Sequence, residues 1–414
     1  MRFGERLRGG LHYGHVVVGV SFLIMAVSDG SIYSFGVFFE PLVEQFGWTR
    51  ALISGSFAAF SGLYGVFSVA SGMLTDRLGP RIVVTISGLV LCSGFLLMSQ
   101  ATSVSHLYVA YGLLIAAGFS GMPVPLQSTA ARWFKAQRGL MTGIVMAGTG
   151  AGTMLMPLLA NWLLRGSDWR MAYMVLGLVL AAVVVPSAQL LRRNSGKDVR
   201  SRVNPREALT ERAATQPEQP GLDLKGAART GRLWLLCLAF MSFGYVMHAV
   251  MVHIVIHARG LGATPAEAAG AMTVIGFFGM TGRIGVGSSA DRLGVRRPLV
   301  SMLATLSAAL FWLTFAAQPW TVMAIAAVFG FVYGGTLPLL SNTVAEFFGL
   351  RAHGGILGML VCFIGIGSAM GPVVTGYLFD LLGSYFVPFA VCGATAALSA
   401  ALAAVSTAPN RGKA

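Results

Sequence analysis

Long apolar stretches, each about as long as the ~20 residues needed to cross a bilayer as a helix, alternate with short polar turns along this chain of 414 residues. Twelve such stretches are read, at 15–39, 50–75, 82–101, 106–134, 139–163, 170–191, 232–257, 266–290, 298–317, 319–348, 353–378 and 384–407. The pattern predicts an all-α membrane protein with twelve transmembrane helices. One longer polar stretch, 192–231, separates the sixth run from the seventh and carries Pro205, Pro217 and Pro220 among many charges. Its composition predicts a solvated linker, so the expected units are 1–191, the linker 192–231, and 232–414.

Composition supports this reading. Apolar residues make up 55% and charged residues 11% of the chain, against roughly 25% charged in soluble domains. The 53 glycines suit helices that pack closely in lipid. Cys92, Cys237, Cys362 and Cys392 all fall within apolar runs and form no C-x-x-C pair, as expected of small buried hydrophobes. Nothing matches G-x-x-x-x-G-K-[ST], and no nucleophile–base constellation is visible. The expectation is therefore a protein that is not an enzyme, with no cofactor and no metal, powered by an ion gradient.

The formal charge of +14 invites a nucleic-acid partner, but the positions of the cations argue for topology instead. With the N-terminus inside, 24 of the 29 Lys and Arg residues fall in cytoplasmic segments, and only Arg50, Arg165, Arg170 and Arg259 fall outside. Both termini are thus expected in the cytoplasm. The basic start (Arg2, Arg6, Arg8) runs into the first span without a small-residue cleavage site, which predicts an uncleaved helix in the cell inner membrane. The remaining cation is Arg283, inside the eighth span.

The two halves repeat. Gly72-x-x-x-Asp76-Arg77-x-Gly79-x-Arg81 returns as Gly287-x-x-x-Asp291-Arg292-x-Gly294-x-Arg296, at an offset of 215 residues. Gly139, Gly143 and Pro157 return as Gly354, Gly358 and Pro372 at the same offset, and Ala131-Arg-Trp-Phe as Ala345-Glu-Phe-Phe at 214. Anchors in register over so much chain predict two pseudo-symmetric six-helix bundles with a binding site at their junction. Each carboxylate of the repeated loop can cap a helix N-terminus or pair with a base, so Asp76, Arg77, Arg81, Asp291, Arg292 and Arg296 are read as gating residues.

The duplicated G-x-x-x-D-R-x-G-x-R loop resembles the signature of the major facilitator superfamily. Several stretches resemble one branch of it, the monocarboxylate transporter family with its bacterial relatives and oxalate:formate exchangers. They are Gly36-Val-Phe-Phe-Glu-Pro-Leu, Phe46-Gly-Trp-Thr-Arg-Ala, Arg132-Trp-Phe-Lys-Ala-Gln-Arg-Gly-Leu, Asp168-Trp-Arg-Met-Ala-Tyr, His253, and Gly282-Arg283-x-x-x-Gly287-x-x-Ala290-Asp291. The resemblance spans the whole transmembrane region. It implies that Arg283 binds a substrate carboxylate and that the carrier is a monomer. Departures matter: Gly279 stands where animal members carry an aspartate, Tyr33 lies near the place of a span-one lysine, and 353–378 lacks the second cation of the oxalate exchangers.

A guanidinium at membrane depth costs ~3 kcal/mol on insertion scales, so it pairs with something or faces a watery cavity. Its fork matches a carboxylate, and one fixed cation suits a monoanion, because a dianion would leave a charge uncompensated. Asp29 is the only acid near the middle of a span. It is either a proton-coupling carboxylate or the resting counter-ion of Arg283. His253 is a second candidate for the proton or the substrate, while His248 and His257 lie off its face or near the interface. Tyr33 and Tyr333 are expected substrate contacts, and Phe363 and Cys362 expected walls. The partners expected are a small organic anion, a proton and the bilayer. The function expected is proton-coupled symport of a lactate- or pyruvate-like acid. The alternatives are exchange of di- or tricarboxylates, or export of drugs.

Overall fold

A computed structural model describes residues 13–134, 136–192 and 221–406. Most of the expected linker, and both terminal tails, lie outside these residues. The described chain is helical, with no strand among the described residues.

The first bundle is built from α1 (Tyr13–Phe46), α2 (Arg50–Leu78), α3 (Pro80–Ser99), α4 (Val104–Trp133), α5 (Arg138–Gly166) and α6 (Trp169–Ala188). The second comprises α7 (Gly231–Gly260), α8 (Pro265–Leu293), α9 (Arg296–Thr314), α10 (Pro319–Phe347), α11 (His353–Leu382) and α12 (Phe386–Ser406). Eleven of these are long and apolar enough to cross a membrane. The exception is α8, equally long but less apolar, and it is the helix that carries Arg283.

Local signals set the helix ends. Thr49 caps α2 by accepting from the Leu52 N–H at 3.3 Å. Thr264 and Glu267 form a capping box that starts α8. Gly79 at φ +87° and Gly294 at φ +73° make the sharp exits from α2 and α8, a backbone region that side-chain-bearing residues avoid. These two glycines stand at matching places in the repeated motif.

Two apolar cores form, one among residues 17–191 and the other, apart from Val124, among residues 227–403. Inside each bundle glycines let backbones touch. A Cβ on Gly152 of α5 would overlap the Ala26 carbonyl of α1, and one on Gly367 of α11 would overlap the Met241 carbonyl of α7. Both contacting residues are displaced by 215, so the sequence repeat is a repeat of packing. The bundles meet along two pseudo-equivalent seams, α2 against α11 and α5 against α8. Gly72 there faces the Gly354 carbonyl, and Gly287 faces that of Gly139.

Candidate functional site

Between the bundles lies a cavity of about 140 Å³, room for roughly five waters at ~30 Å³ each. Apolar and aromatic side chains make most of its wall, among them Met25, Phe57, Phe60, Met146, Met247 and Leu337. The polar groups on it are few: Asp29 and Tyr33 of α1, Ser61 and Tyr64 of α2, Gln127 of α4, Thr149 of α5, His248 of α7, Tyr333 of α10 and Ser368 of α11. Asp29 is buried at 7% exposure, and its carboxylate accepts a hydrogen bond from the Thr149 hydroxyl at 2.9 Å. Tyr33 keeps 38% of its surface open in the middle of the molecule, because it faces this void. The Tyr33 and Tyr333 side chains approach closely enough to interact.

Arg283 is 3% exposed and stands one layer behind the cavity wall. Its guanidinium carbon lies 5.3 Å from the centre of the Tyr333 ring, and Tyr333 itself lines the cavity. A Cβ added to Gly279 would come within 3.1 Å of the Arg283 Nη1, and one added to Gly150 within 3.5 Å. A side chain at Gly279 would crowd the guanidinium, whereas one at Gly150 would only touch it. Its Nε has no hydrogen-bond partner, and among the described residues no carboxylate lies at ion-pair distance from it. Asp29 is near enough to interact through space. The cavity edge therefore holds one cation and one acid, close but not joined. Arg283, expected on the cavity surface, is not among the residues that line it, whereas Tyr333, the ring it stacks on, is.

Other expected residues sit elsewhere. His253 is buried between α7, α11 and α12, with Nδ1 3.0 Å from the Tyr385 hydroxyl and Nε2 3.1 Å from the Pro372 carbonyl. A carbonyl only accepts, so Nε2 donates to it, and both ring nitrogens are satisfied away from the cavity. Cys362 lies at the α2–α11 seam beside Gly65, and Phe363 packs edge-on against Trp234. From that stretch of α11 it is Val361, Ile364 and Gly365 that line the void.

The repeated loops do meet the opposite bundle. Asp76 accepts from the backbone N–H groups of Gly354 and Gly355 at 3.0 and 2.9 Å. Asp291 accepts from those of Gly139 and Leu140 at 2.6 and 2.8 Å. Each carboxylate caps the first turn of a helix in the other half, where the helix dipole favours it. The copies differ in support. Asp76 is also paired with Arg132 at 2.5 Å, a position occupied in the second half by Glu346, which instead accepts from the Val295 N–H at 3.1 Å. Among the described residues no motif arginine forms an ion pair across the seam: Arg81 donates to Gln189 at 2.7 Å within its own bundle, and Arg77, Arg292 and Arg296 are exposed. With both carboxylate contacts made, the bundles are closed at this end.

Sequence patterns describing the Major Facilitator Superfamily match residues 21–303 and 256–413, which together span nearly the whole chain. The chain belongs to the major facilitator superfamily. This facilitator is 30% identical to monocarboxylate transporter 13 of Rattus norvegicus, over 92% of its own length and 86% of the relative's. It is 25% identical to the oxalate:formate antiporter of Oxalobacter formigenes, over 79% and 76% of the two chains. Its fold is shared with the human organic anion transporter MFSD10 (TM-score 0.75, 16% identity, 94% of this chain and 99% of that one). The Escherichia coli fucose:proton symporter is built the same way (TM-score 0.69, 14% identity, 96% and 98%). It is a multi-pass membrane transporter, not an enzyme.

Six polar residues at the cavity, Ser61, Tyr64, Gln127, Thr149, His248 and Ser368, and Arg132 at the seam, are not among the site residues expected from the sequence. His248 is set aside there because it lies off the face of His253. That reasoning holds geometrically, since five residues turn a helix by about 140°, and the face it turns to is the cavity. The repeat held a usable signal: His248 follows Tyr33 by 215 residues.

Proposed function

We propose that this facilitator moves a short monocarboxylate together with a proton, by alternating access of the central cavity. The observation that carries the proposal is Arg283: a buried guanidinium with an unpartnered Nε and no paired carboxylate, one tyrosine ring away from a cavity of about 140 Å³. A buried ion without a partner is costly, and an entering carboxylate relieves that cost. It meets the Tyr33 and Tyr333 hydroxyls first and draws the guanidinium past the Tyr333 ring into a bidentate pair. Asp29, once displaced as the nearest anion, takes the proton. The relatives support the class of substrate, being named for monocarboxylate transport and for oxalate:formate antiport.

Charge balance selects the stoichiometry. Empty, the pocket holds one cation and one anion. Loaded with a monocarboxylate and a proton on Asp29, it again sums to zero, so both forms cross between states without carrying net charge through the low-dielectric interior. A dicarboxylate with the same single proton would leave one negative charge uncompensated. The small void likewise suits a short acid better than a drug-sized molecule.

Alternation follows from the seams. The caps of Asp76 and Asp291 hold one end shut, and their release lets the bundles rock apart there. Uptake of labelled lactate into proteoliposomes, set against propionate and oxalate with and without an inward proton gradient, tests the reading. Accumulation of the monocarboxylates that depends on the gradient is expected. Equal accumulation without the gradient removes the proton, and no uptake of either monocarboxylate removes the substrate class.

A further inference from the structure

Two polar side chains on the cavity wall each carry a buried atom without a hydrogen-bond partner, and neither has a part in holding a carboxylate. The Oε1 of Gln127 and the Nδ1 of His248 are both buried without a hydrogen bond, and both residues line the void. Gln127 is 4% exposed, and the void is what it faces. Leaving a buried polar atom unmade costs about as much as a lost hydrogen bond, and a purely structural wall would have been apolar here like its neighbours.

The placement of His248 is set by the internal symmetry. The close contacts Gly152–Ala26 and Gly367–Met241 show that α1 maps onto α7 at an offset of 215, and the same offset takes Tyr33 to His248. The two side chains therefore look into the cavity from opposite bundles at matching depth. On the Tyr33 side stand Tyr333, Asp29 and, behind the ring, Arg283. The His248 side holds no charge that could bind a carboxylate.

We infer that His248 and Gln127 form a second pole of the site, which reads the polar substituent of the transported acid while Arg283 holds its carboxylate. The inference rests on the monocarboxylate reading and adds residues and a selectivity to it. Gln127 Oε1 can only accept and its amide nitrogen can only donate, whereas an imidazole nitrogen does either according to tautomer. A hydroxyl, which donates and accepts at once, satisfies such a pair better than a hydrogen atom does. A site of this kind rejects the analogue that leaves its polar groups unpaired. A 2-hydroxy acid is thus preferred over the acid of equal chain length without the hydroxyl.

The test uses the full chain in proteoliposomes, with labelled lactate and labelled propionate compared at equal proton gradient. The wild type is expected to favour lactate by roughly tenfold in uptake efficiency, the effect of one unmade buried hydrogen bond. H248L and Q127L should each bring that ratio towards one while propionate uptake persists, which also shows that the variant carrier is folded. H248N, which keeps a donor and an acceptor, should retain the preference and serves as well if H248L fails to accumulate. A wild-type ratio near one, or an unchanged ratio in both leucine variants, overturns the second pole and leaves the carboxylate reading standing. A wild type that takes up neither acid sinks that reading instead.

Discussion

Arg283 shows how a single residue can be found in the sequence while its setting cannot. A lone cation in an apolar run is conspicuous in one dimension; that it stacks 5.3 Å from the Tyr333 ring and nestles against Gly279 and Gly150 is not. The geometry makes lysine a poor replacement, since an ammonium lacks the planar fork and the stacking face. Arg283→Lys should lower lactate uptake at least tenfold while the protein still accumulates in the membrane, measured by initial rates against immunoblot signal. Asp29→Asn, which retains the hydrogen bond to Thr149 but carries no titratable proton, should take up lactate at a rate that no longer rises as the outer pH falls. An unaltered pH response would remove Asp29 from the coupling. His253 illustrates the reverse: its type suggested chemistry, and its two filled hydrogen bonds, to Tyr385 and Pro372, describe a joint between α7, α11 and α12.

At the scale of elements, the helices were legible because their ends carry their own signals. Capping residues, Pro at the first turn and a positive-φ glycine act within a few residues of each boundary. The seams were legible only in part. The motif named Asp76 and Asp291, and the structure adds that each caps a helix of the opposite bundle. Asp291→Asn weakens two charge-assisted bonds, a loss of about 1.5–3 kcal/mol for a hydrogen bond to a charged group. The closed seam should open correspondingly more often, read as faster modification of a cysteine introduced in place of Thr142, which is buried on α5 against Asn342 of the opposite bundle. The asymmetry of support yields a second expectation. Asp76 is braced by Arg132 and Asp291 is not, so Arg132→Ala should make the α2–α11 seam label as fast as the α5–α8 seam in the same assay.

For the whole molecule, the charge match proposed between the empty and loaded cavity has an electrical consequence. A cycle in which both crossing forms are neutral generates no current. Lactate uptake driven by a fixed proton gradient should be the same whether the vesicle interior is clamped positive or negative with potassium and valinomycin. A rate that follows the clamp would show that a net charge crosses and that the Arg283–Asp29 balance is wrong. By the same arithmetic the proposed monoanion requires no second cation in α11, and α11 carries no Lys or Arg.

Periodic and local features determined what was readable in advance. Span length, the bias of the cations towards alternate loops, the duplicated loop and the buried arginine depend on composition and spacing, and spacing survives projection onto a line. What only the folded molecule decided is which side chains share the void. Gln127, Thr149 and His248 are ordinary polar residues in apolar runs, and they converge because helices far apart in sequence cross at glycines whose missing side chains bring the backbones into contact. Whether the guanidinium faces the void or stands behind a ring is set by the rotation of α8 against α5 and α10, a matter of a few ångströms in packing. No pattern along one helix encodes that rotation, because it is fixed by the shapes of three helices at once.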